Sequence, residues 1–156
     1  MQTIAEKDAA ERAVIRYFSL IEHSMKVFVT DDSEVFRKYL IEMLCELEGV
    51  EIVGQAGDAQ EALKAIRVLP PDVLTLDMNI RGGSGIEVLI RAKEDNLVPV
   101  VIMLTNQSSV PYRKKCMQAG ADFFVDKANE LVEMRRIVEG LLPRFNAQTK
   151  AQRLLS

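Results

Sequence analysis

Short apolar runs alternate with longer amphipathic segments along most of the chain. The apolar runs are bounded by loop-forming residues and are typical of strands buried on both faces. Between them, apolar residues recur at the spacing of a helix that covers a sheet. Five strand-then-helix units joined by short loops predict an α/β protein with a parallel, doubly wound sheet. The predicted strands span residues 26–30, 50–55, 73–76, 100–104 and 122–126.

Residues that begin and end helices stand at the limits of the amphipathic segments. Ser33 and Asp58 are good N-caps, because a short side-chain oxygen can accept a backbone N–H of the first helical turn. Pro111 is favoured in the first turn, where no helical hydrogen bond is lost. The last helix is predicted over residues 130–142, with Pro143 ending it.

A further helical pattern, in residues 3–22, precedes the first strand. Within it, Val14, Phe18 and Ile21 recur at i, i+4 and i+7. One interpretation is an overlong start of the reading frame. The other is a helix whose apolar stripe is covered by the sheet domain or by a second copy of the chain, since an isolated helix of this length is marginal in water. We divide the chain into a helical N-terminal extension, a sheet domain and a C-terminal tail, at residues 1–24, 25–142 and 143–156.

Composition narrows the classes of function. The 156 residues are 48% hydrophobic and 28% charged, which is ordinary for a soluble domain. A formal net charge of −3 is unlike the basic footprint of a nucleic-acid binder. We expect neither a membrane span nor a signal peptide, because no apolar run has the required length or flanks. Cys45 and Cys116 lack CxxC spacing, so we expect reduced thiols and a cytoplasmic location.

Polar side chains follow four of the five predicted strands. Asp31 and Asp32 follow the first, Asp77 the third, Thr105 the fourth and Lys127 the fifth. Each alone could be a cap, a turn residue or a solvated charge. The carboxyl ends of parallel strands share one edge of the sheet, however, so these groups should meet in one crevice. Clustered carboxylates raise one another's pKa unless a cation offsets them, and the pattern therefore favours a functional site.

These groups suit phosphoryl transfer. Carboxylate oxygens with few dedicated protein contacts are ligands for Mg²⁺, which commonly links carboxylates to phosphate. Asp77 is a potential nucleophile that could form an acyl phosphate. Lys127 would stabilise the charge of the transferring group, and Thr105 could donate a hydrogen bond to it if its loop moved inward.

Four motifs resemble the receiver domain of a bacterial two-component response regulator, of the CheY-like, stand-alone kind. They are VTDDS at 29–33, LTLDMNIRGGSGIEVL at 74–89, VVIMLTN at 100–106 and GADFFVDK at 120–127. The resemblance implies a flavodoxin-like sheet of order 2-1-3-4-5 that accepts a phosphoryl group and switches conformation.

The resemblance also implies individual roles. Asp77 would be the phosphoacceptor, and Asp31 and Asp32 would be the acidic pair that binds Mg²⁺ together with Asp77. The Asn79 backbone carbonyl would be a further Mg²⁺ ligand, and Lys127 would match the lysine that the family has at this position. Thr105 would be the hydroxyl side chain, and Phe124 the aromatic side chain, that take part in the conformational switch.

Three residues depart from the family pattern. Arg81 and Ala128 stand where the family usually has proline, and Asn106 stands where a small residue is commoner. None of them removes a reactive group. With Ala128 in place of proline, the peptide entering the last helix is expected to be trans.

The resemblance implies protein partners: a sensor histidine kinase or a phosphotransfer protein upstream, and a protein target downstream. We expect no nucleic acid and no membrane, and residues 1–24 raise the possibility of a homodimer. The chain would be a phosphoacceptor switch and not an enzyme. The alternatives are a degenerate receiver, an Asp-nucleophile phosphatase, which would need Asp in place of Asn79, and a nucleotide-binding module. His23 is given no role.

Overall fold

The computed structural model describes residues 3–22 and 24–155, so His23 lies outside the described residues. Its five strands form one parallel sheet of order β2-β1-β3-β4-β5, which confirms the predicted fold. The strands are β1 (Met25–Thr30), β2 (Val50–Ala56), β3 (Val73–Leu76), β4 (Val100–Thr105) and β5 (Phe123–Asp126).

Helices cover both faces of the sheet. The helices are α1 (Ile4–Glu22), α2 (Glu34–Cys45), α3 (Ala59–Val68), α4 (Gly85–Glu94), α5 (Val110–Gln118) and α6 (Leu131–Leu155). One face of the sheet packs against α3, α4 and the buried Cys116 of α5, and the other packs against α2 and α6. Cys45, by contrast, is exposed, and both thiols are free. All four residues of β3 are buried, as expected for a strand covered on both faces.

The predicted caps are in place. The Ser33 hydroxyl accepts a hydrogen bond from the Phe36 N–H at 3.2 Å. The Asp58 carboxylate accepts from the Gln60 and Glu61 N–H groups at 2.8 and 3.2 Å. These bonds satisfy helical donors that would otherwise lack a partner, and they fix where each loop turns into a helix.

The register of the sheet aligns the strand ends. Thr30 pairs with Leu76, so Asp31 and Asp77 follow at the same level. Thr105 pairs with Asp126, which places Lys127 just beyond it. The groups predicted to converge therefore leave the sheet at one edge.

The prediction that Pro143 ends the last helix is wrong. Helix α6 continues through Pro143 to Leu155. A proline inside a helix costs a hydrogen bond and crowds the preceding turn, which disfavours continuation by ~3 kcal/mol. Here Leu141 and Phe145, 7% and 5% exposed, pack into the core on either side of it. Burial of these side chains offsets the cost, so α6 continues past residue 142.

Helix α1 forms as predicted but leaves apolar side chains uncovered. Ile4, Val14, Ile15 and Phe18 are each more than half exposed. Within residues 3–22 and 24–155, no helix is long and apolar enough to span a bilayer.

Candidate functional site

Three carboxylates meet at the carboxyl edge of the sheet. Asp31, Asp32 and Asp77 each offer an oxygen within 4.8 Å of the others. Asp31 and Asp77 are 2% and 6% exposed, whereas Asp32 is exposed to solvent. Gly85 brings the loop after β3 back over the strand end, because a Cβ there would collide with the Asp77 carbonyl oxygen. The predicted acidic cluster is therefore present, with one carboxylate accessible and two enclosed.

Lys127 lies between the two enclosed carboxylates. Its Nζ is 2.7 Å from Asp77 Oδ2 and also forms an ion pair with Asp31. The ammonium lies 4.4 Å from the centre of the Phe36 ring, a cation–π distance. With its side chain only 8% exposed, Lys127 depends on these partners to compensate for its lost hydration.

The electrostatics of the cluster leave negative charge in excess. Burial raises the pKa of Asp31 above its ordinary value of 3.8, while hydrogen bonds from Lys127 and from the Ser33 N–H oppose that rise. A nearby like charge, Asp77, raises the pKa further. One ammonium cannot neutralise three carboxylates, so the site favours an additional cation.

The donor set fits a hard divalent cation. All of the clustered side-chain ligands are carboxylate oxygens, the type preferred by Mg²⁺. The Asn79 N–H donates to Asp77 Oδ1 at 3.2 Å, so the loop after β3 wraps around the phosphoacceptor candidate. That the Asn79 carbonyl is a metal ligand stays a prediction.

Thr105 ends β4 beside this cluster and is fully buried. Its hydroxyl accepts a hydrogen bond from the Gln107 N–H at 3.2 Å, and its carbonyl accepts from the Lys127 N–H at 3.1 Å. Ser108 then donates to Asp126 Oδ2 at 2.7 Å. The segment that follows Thr105 is thus tied to the end of β5.

Phe124 is 7% exposed and lies in the core on the α3–α4 side. The Arg113 guanidinium lies over its ring at 4.8 Å, and Arg113 Nη1 donates to the Phe124 carbonyl at 3.3 Å. Arg113 also forms an ion pair with Glu130 at 3.5 Å. Arg113 was not identified from the sequence, because its contact with Phe124 depends on how α5 packs beside β5.

The departures from the family pattern leave the site intact. The peptide before Ala128 is trans, as expected, because the described residues contain no cis peptide. Arg81 lies in the loop after β3, where its carbonyl accepts the Ala59 N–H at 2.8 Å.

The chain resembles response regulators in sequence. The response regulator GacA of Pseudomonas aeruginosa is 36% identical over 113 residues, a match covering 70% of this chain and 51% of that protein. A protein-glutamate methylesterase/protein-glutamine glutaminase of Clostridium acetobutylicum is 30% identical over 123 residues, covering 78% of this chain and 36% of the relative. The chain therefore spans about half or less of these two relatives.

Solved structures share its fold. The CheX-CheY-BeF3-Mg+2 complex from Borrelia burgdorferi contains a chain that matches with a TM-score of 0.62 and 26% identity, covering 73% of this chain and 89% of that one. The response regulator receiver domain family matches residues 27–139, a range that contains every residue of the site described above. This chain belongs to the response regulator receiver domain family.

Proposed function

We propose that Asp77 is the residue on which this receiver domain accepts its phosphoryl group. The observation that carries this proposal is the placement of Asp77 at the end of a buried strand, with Oδ2 on the Lys127 ammonium and two further carboxylates beside it. Asp32 is exposed, whereas Asp31 and Asp77 are both enclosed, and each accepts from Lys127 and from a backbone N–H two residues further on. Of these two, Asp77 is the one that matches the phosphoacceptor position of the family motif. Asp77 is enclosed, contacts the Lys127 ammonium and lies beside two further carboxylates of the kind that bind a metal ion.

This geometry supports the following transfer. An Asp77 oxygen attacks the phosphorus of the donor, the bond from phosphorus to the donor atom breaks, and an acyl phosphate forms. The donor would be a phosphohistidine of a kinase or phosphotransfer protein. Lys127, already at the Asp77 carboxylate, stabilises the negative charge of the transferring group.

Asp31, Asp32, Asp77 and the Asn79 carbonyl would hold Mg²⁺. When bound, the metal supplies charge neutralisation to the phosphoryl oxygens. The all-oxygen donor set supports this assignment, as does the similarity to a protein whose structure is described as containing Mg+2.

Thr105 and Phe124 would form the conformational switch. A phosphoryl group on Asp77 would give the Thr105 O–H an acceptor that draws its loop inward, while the hydroxyl oxygen already accepts from the Gln107 N–H. Movement of the loop would then change the contacts of Ser108 and Arg113, which join this segment to Asp126 and Phe124. Partners would read that change at the α5 and β5 surface.

The chain would act as a switch in the cytoplasm and not as an enzyme. Support comes from a site that contains the groups of a phosphoacceptor, and from relatives that are response regulators. Its partners would be a histidine kinase or phosphotransfer protein and a downstream protein.

Acetyl phosphate with Mg²⁺ tests the proposal. Intact mass spectrometry should show the gain of one phosphoryl group, lost in Asp77→Ala and on removal of Mg²⁺. Asp95→Ala, an exposed carboxylate on the far end of α4, is the matched control and should be labelled as wild type. Equal labelling of Asp77→Ala would place the chemistry elsewhere.

A further inference from the structure

Two guanidinium groups meet beside the acidic cluster, above Gly57. A Cβ built on Gly57 would lie 2.8 Å from Arg37 Nη1 and 3.2 Å from Arg81 Nη2. The same point is 3.5 Å from the Asp31 carbonyl oxygen. The two guanidinium groups therefore converge where a side chain of residue 57 would otherwise stand, and this notch between them exists because residue 57 is glycine.

Arg37 is fixed in this position. It is half-buried on α2, its Nη1 donates to the Asp31 carbonyl at 2.6 Å, and its Nε donates to Gln55 Oε1 at 2.9 Å. Both partners are neutral oxygens. The charge of Arg37 thus remains available to an anion in the notch.

The backbone of Arg81 is also fixed. It forms a bridge with Asp58, and its carbonyl accepts the Ala59 N–H at 2.8 Å. Gly82 follows with φ of +73°, and a Cβ there would collide with the Asp58 carboxylate. This glycine turn holds Arg81 against the start of α3, and its exposed side chain reaches back to the notch.

Neither arginine has a carboxylate partner among the ion pairs of residues 3–22 and 24–155. Two neighbouring cations without an anion repel each other, which favours the binding of one. The acidic cluster with Lys127 has a formal charge of −2, and the two arginines beside it bring the formal charge of the wider region to zero. A bound Mg²⁺ would leave two positive charges, the complement of a phosphoryl group, which carries about two negative charges.

We propose that Arg37 and Arg81 form an anion site that attracts and orients the phosphoryl group of the incoming donor beside Asp77. Guanidinium groups suit this task, because their planar N–H donors match phosphoryl oxygens and stay charged at all working pH values. The inference rests on the proposed phosphoacceptor function and assigns two residues that bind the substrate before transfer. Because the phosphoryl group itself is recognised, an acyl phosphate and a phosphoimidazole, which mimics phosphohistidine, are held in the same way.

Initial rates of phosphorylation with acetyl phosphate and with phosphoimidazole test the proposal at constant Mg²⁺. Arg81→Ala should lower both rates about tenfold, the lower end of the range for charge-steered association. Arg81→Lys should retain part of the rate. Gly57→Ala should lower the rate without removing any charge, because the new methyl group would lie too close to Arg37 Nη1 and displace the guanidinium groups. Arg91→Ala, on the exposed surface in the last turn of α4, removes the same charge away from the site and should behave as wild type.

Salt and a binding measurement complete the test. The difference in phosphorylation rate between wild type and Arg81→Ala should become smaller at about 1 M salt, where charges are screened beyond ~3 Å. Without Mg²⁺, inorganic phosphate should shift the NMR signals of the Arg37 and Arg81 Nε–H groups in wild type, but not that of Arg37 in Arg81→Ala.

Unchanged rates in Arg81→Ala, or a loss confined to one donor, would overturn the anion site while leaving the phosphoacceptor function standing. If wild type accepts no phosphoryl group at all, the phosphoacceptor function fails. The NMR titration then decides the anion site by itself, and absent shifts refute it.

Discussion

Lys127 shares its ammonium between two buried carboxylates, those of Asp31 and Asp77. Removing one member of such a group leaves charge buried without a partner, which typically costs 3–5 kcal/mol. Next to it, Asp126 holds the turn into α6: it accepts hydrogen bonds from Ser108, from the Ala128 N–H and from the Asn129 side chain. Single side chains thus fix both the site and the loop that borders it.

Asp126→Asn should destabilise the fold in a pH-dependent way. The hydrogen bond from Ser108, followed by those from the Ala128 N–H and Asn129, lowers the pKa of Asp126 below its ordinary value of 3.8. A carboxyl group whose pKa is lower in the folded state contributes stability above pH 3.8, and the contribution is lost as pH falls through the folded pKa. In urea denaturation, the free energy of unfolding of the variant should therefore differ most from that of wild type near neutral pH, and the difference should shrink on acidification.

Asp8→Asn, an exposed position on α1, is the matched control, and its free energy of unfolding should stay close to that of wild type across the same pH range. A difference for Asp126→Asn that stays constant or grows as pH falls would contradict the assignment of this carboxylate.

Sequence reasoning could place the strand-end groups but not their side-chain partners. The positions of Asp31, Asp77 and Lys127 could be predicted because each comes after an apolar run, and a parallel sheet brings the ends of such strands together at one edge. The contact between Arg113 and Phe124 depends on how α5 packs on β5, across eleven positions of sequence. The notch between Arg37 and Arg81 depends on a loop conformation and on Gly57, and short-range pattern carries no signal for either.

At the level of elements, the proposed switch requires the segment joining β4 to α5 to move. Thr105 lies at its start, Ser108 ties it to β5, and Arg113 on the following helix α5 donates to the Phe124 carbonyl of β5. These ties are a few polar contacts at the surface edge, whereas β4 itself is buried throughout. A small displacement of the loop can therefore reach Phe124 without disrupting the sheet.

Thr105→Ala should separate chemistry from signalling. Asp77, Lys127 and the acidic pair remain, so the variant should still accept a phosphoryl group. It should lose the conformational response, because the hydroxyl that draws the loop inward is absent. NMR spectra should show phosphorylation-dependent amide shifts in α5 and β5 for wild type only. The same shifts in phosphorylated Thr105→Ala would exclude Thr105 as the switch.

Helix α6 shows tertiary packing overriding a local signal. Pro143 is a strong helix stop in sequence, yet Phe145 beyond it is 5% exposed in the core. Phe145→Ala should lower the free energy of unfolding by roughly 3 kcal/mol, as for other buried phenylalanines. Phe18→Ala on α1, where the side chain is 58% exposed, should change it by less than about 0.5 kcal/mol. Equal effects in chemical denaturation would mean that α6 does not pack in this way.

At the scale of the whole molecule, the sheet domain buries its apolar side chains, whereas α1 leaves several of its own exposed. The sheet domain encloses its own apolar residues in two clusters, one on each face. Helix α1 leaves Val14 and Phe18 more than half exposed, which an isolated helix in water does not favour. The alternating pattern predicted the parallel sheet and the family resemblance implied its strand order, but how α1 is covered depends on surfaces that the sequence of one copy does not specify.

Removal of residues 1–24 should leave folding and phosphorylation unchanged, because all five strand–helix units remain. If the exposed stripe of α1 pairs with a second copy, light scattering should give the full chain twice the mass expected for one copy, and residues 25–156 the mass of one. Equal monomeric masses, with rapid proteolysis of residues 1–24, would refute dimerisation through α1.

The central claim is that the phosphoryl group is carried by Asp77, and chemical trapping measures this most directly. Borohydride reduces an acyl phosphate to an alcohol, which converts the phosphorylated aspartate to homoserine. After treatment with acetyl phosphate and Mg²⁺, peptide mass mapping should find homoserine at position 77 and only there. Homoserine at position 31 or 32, or none in protein that has gained phosphoryl mass, would contradict the account.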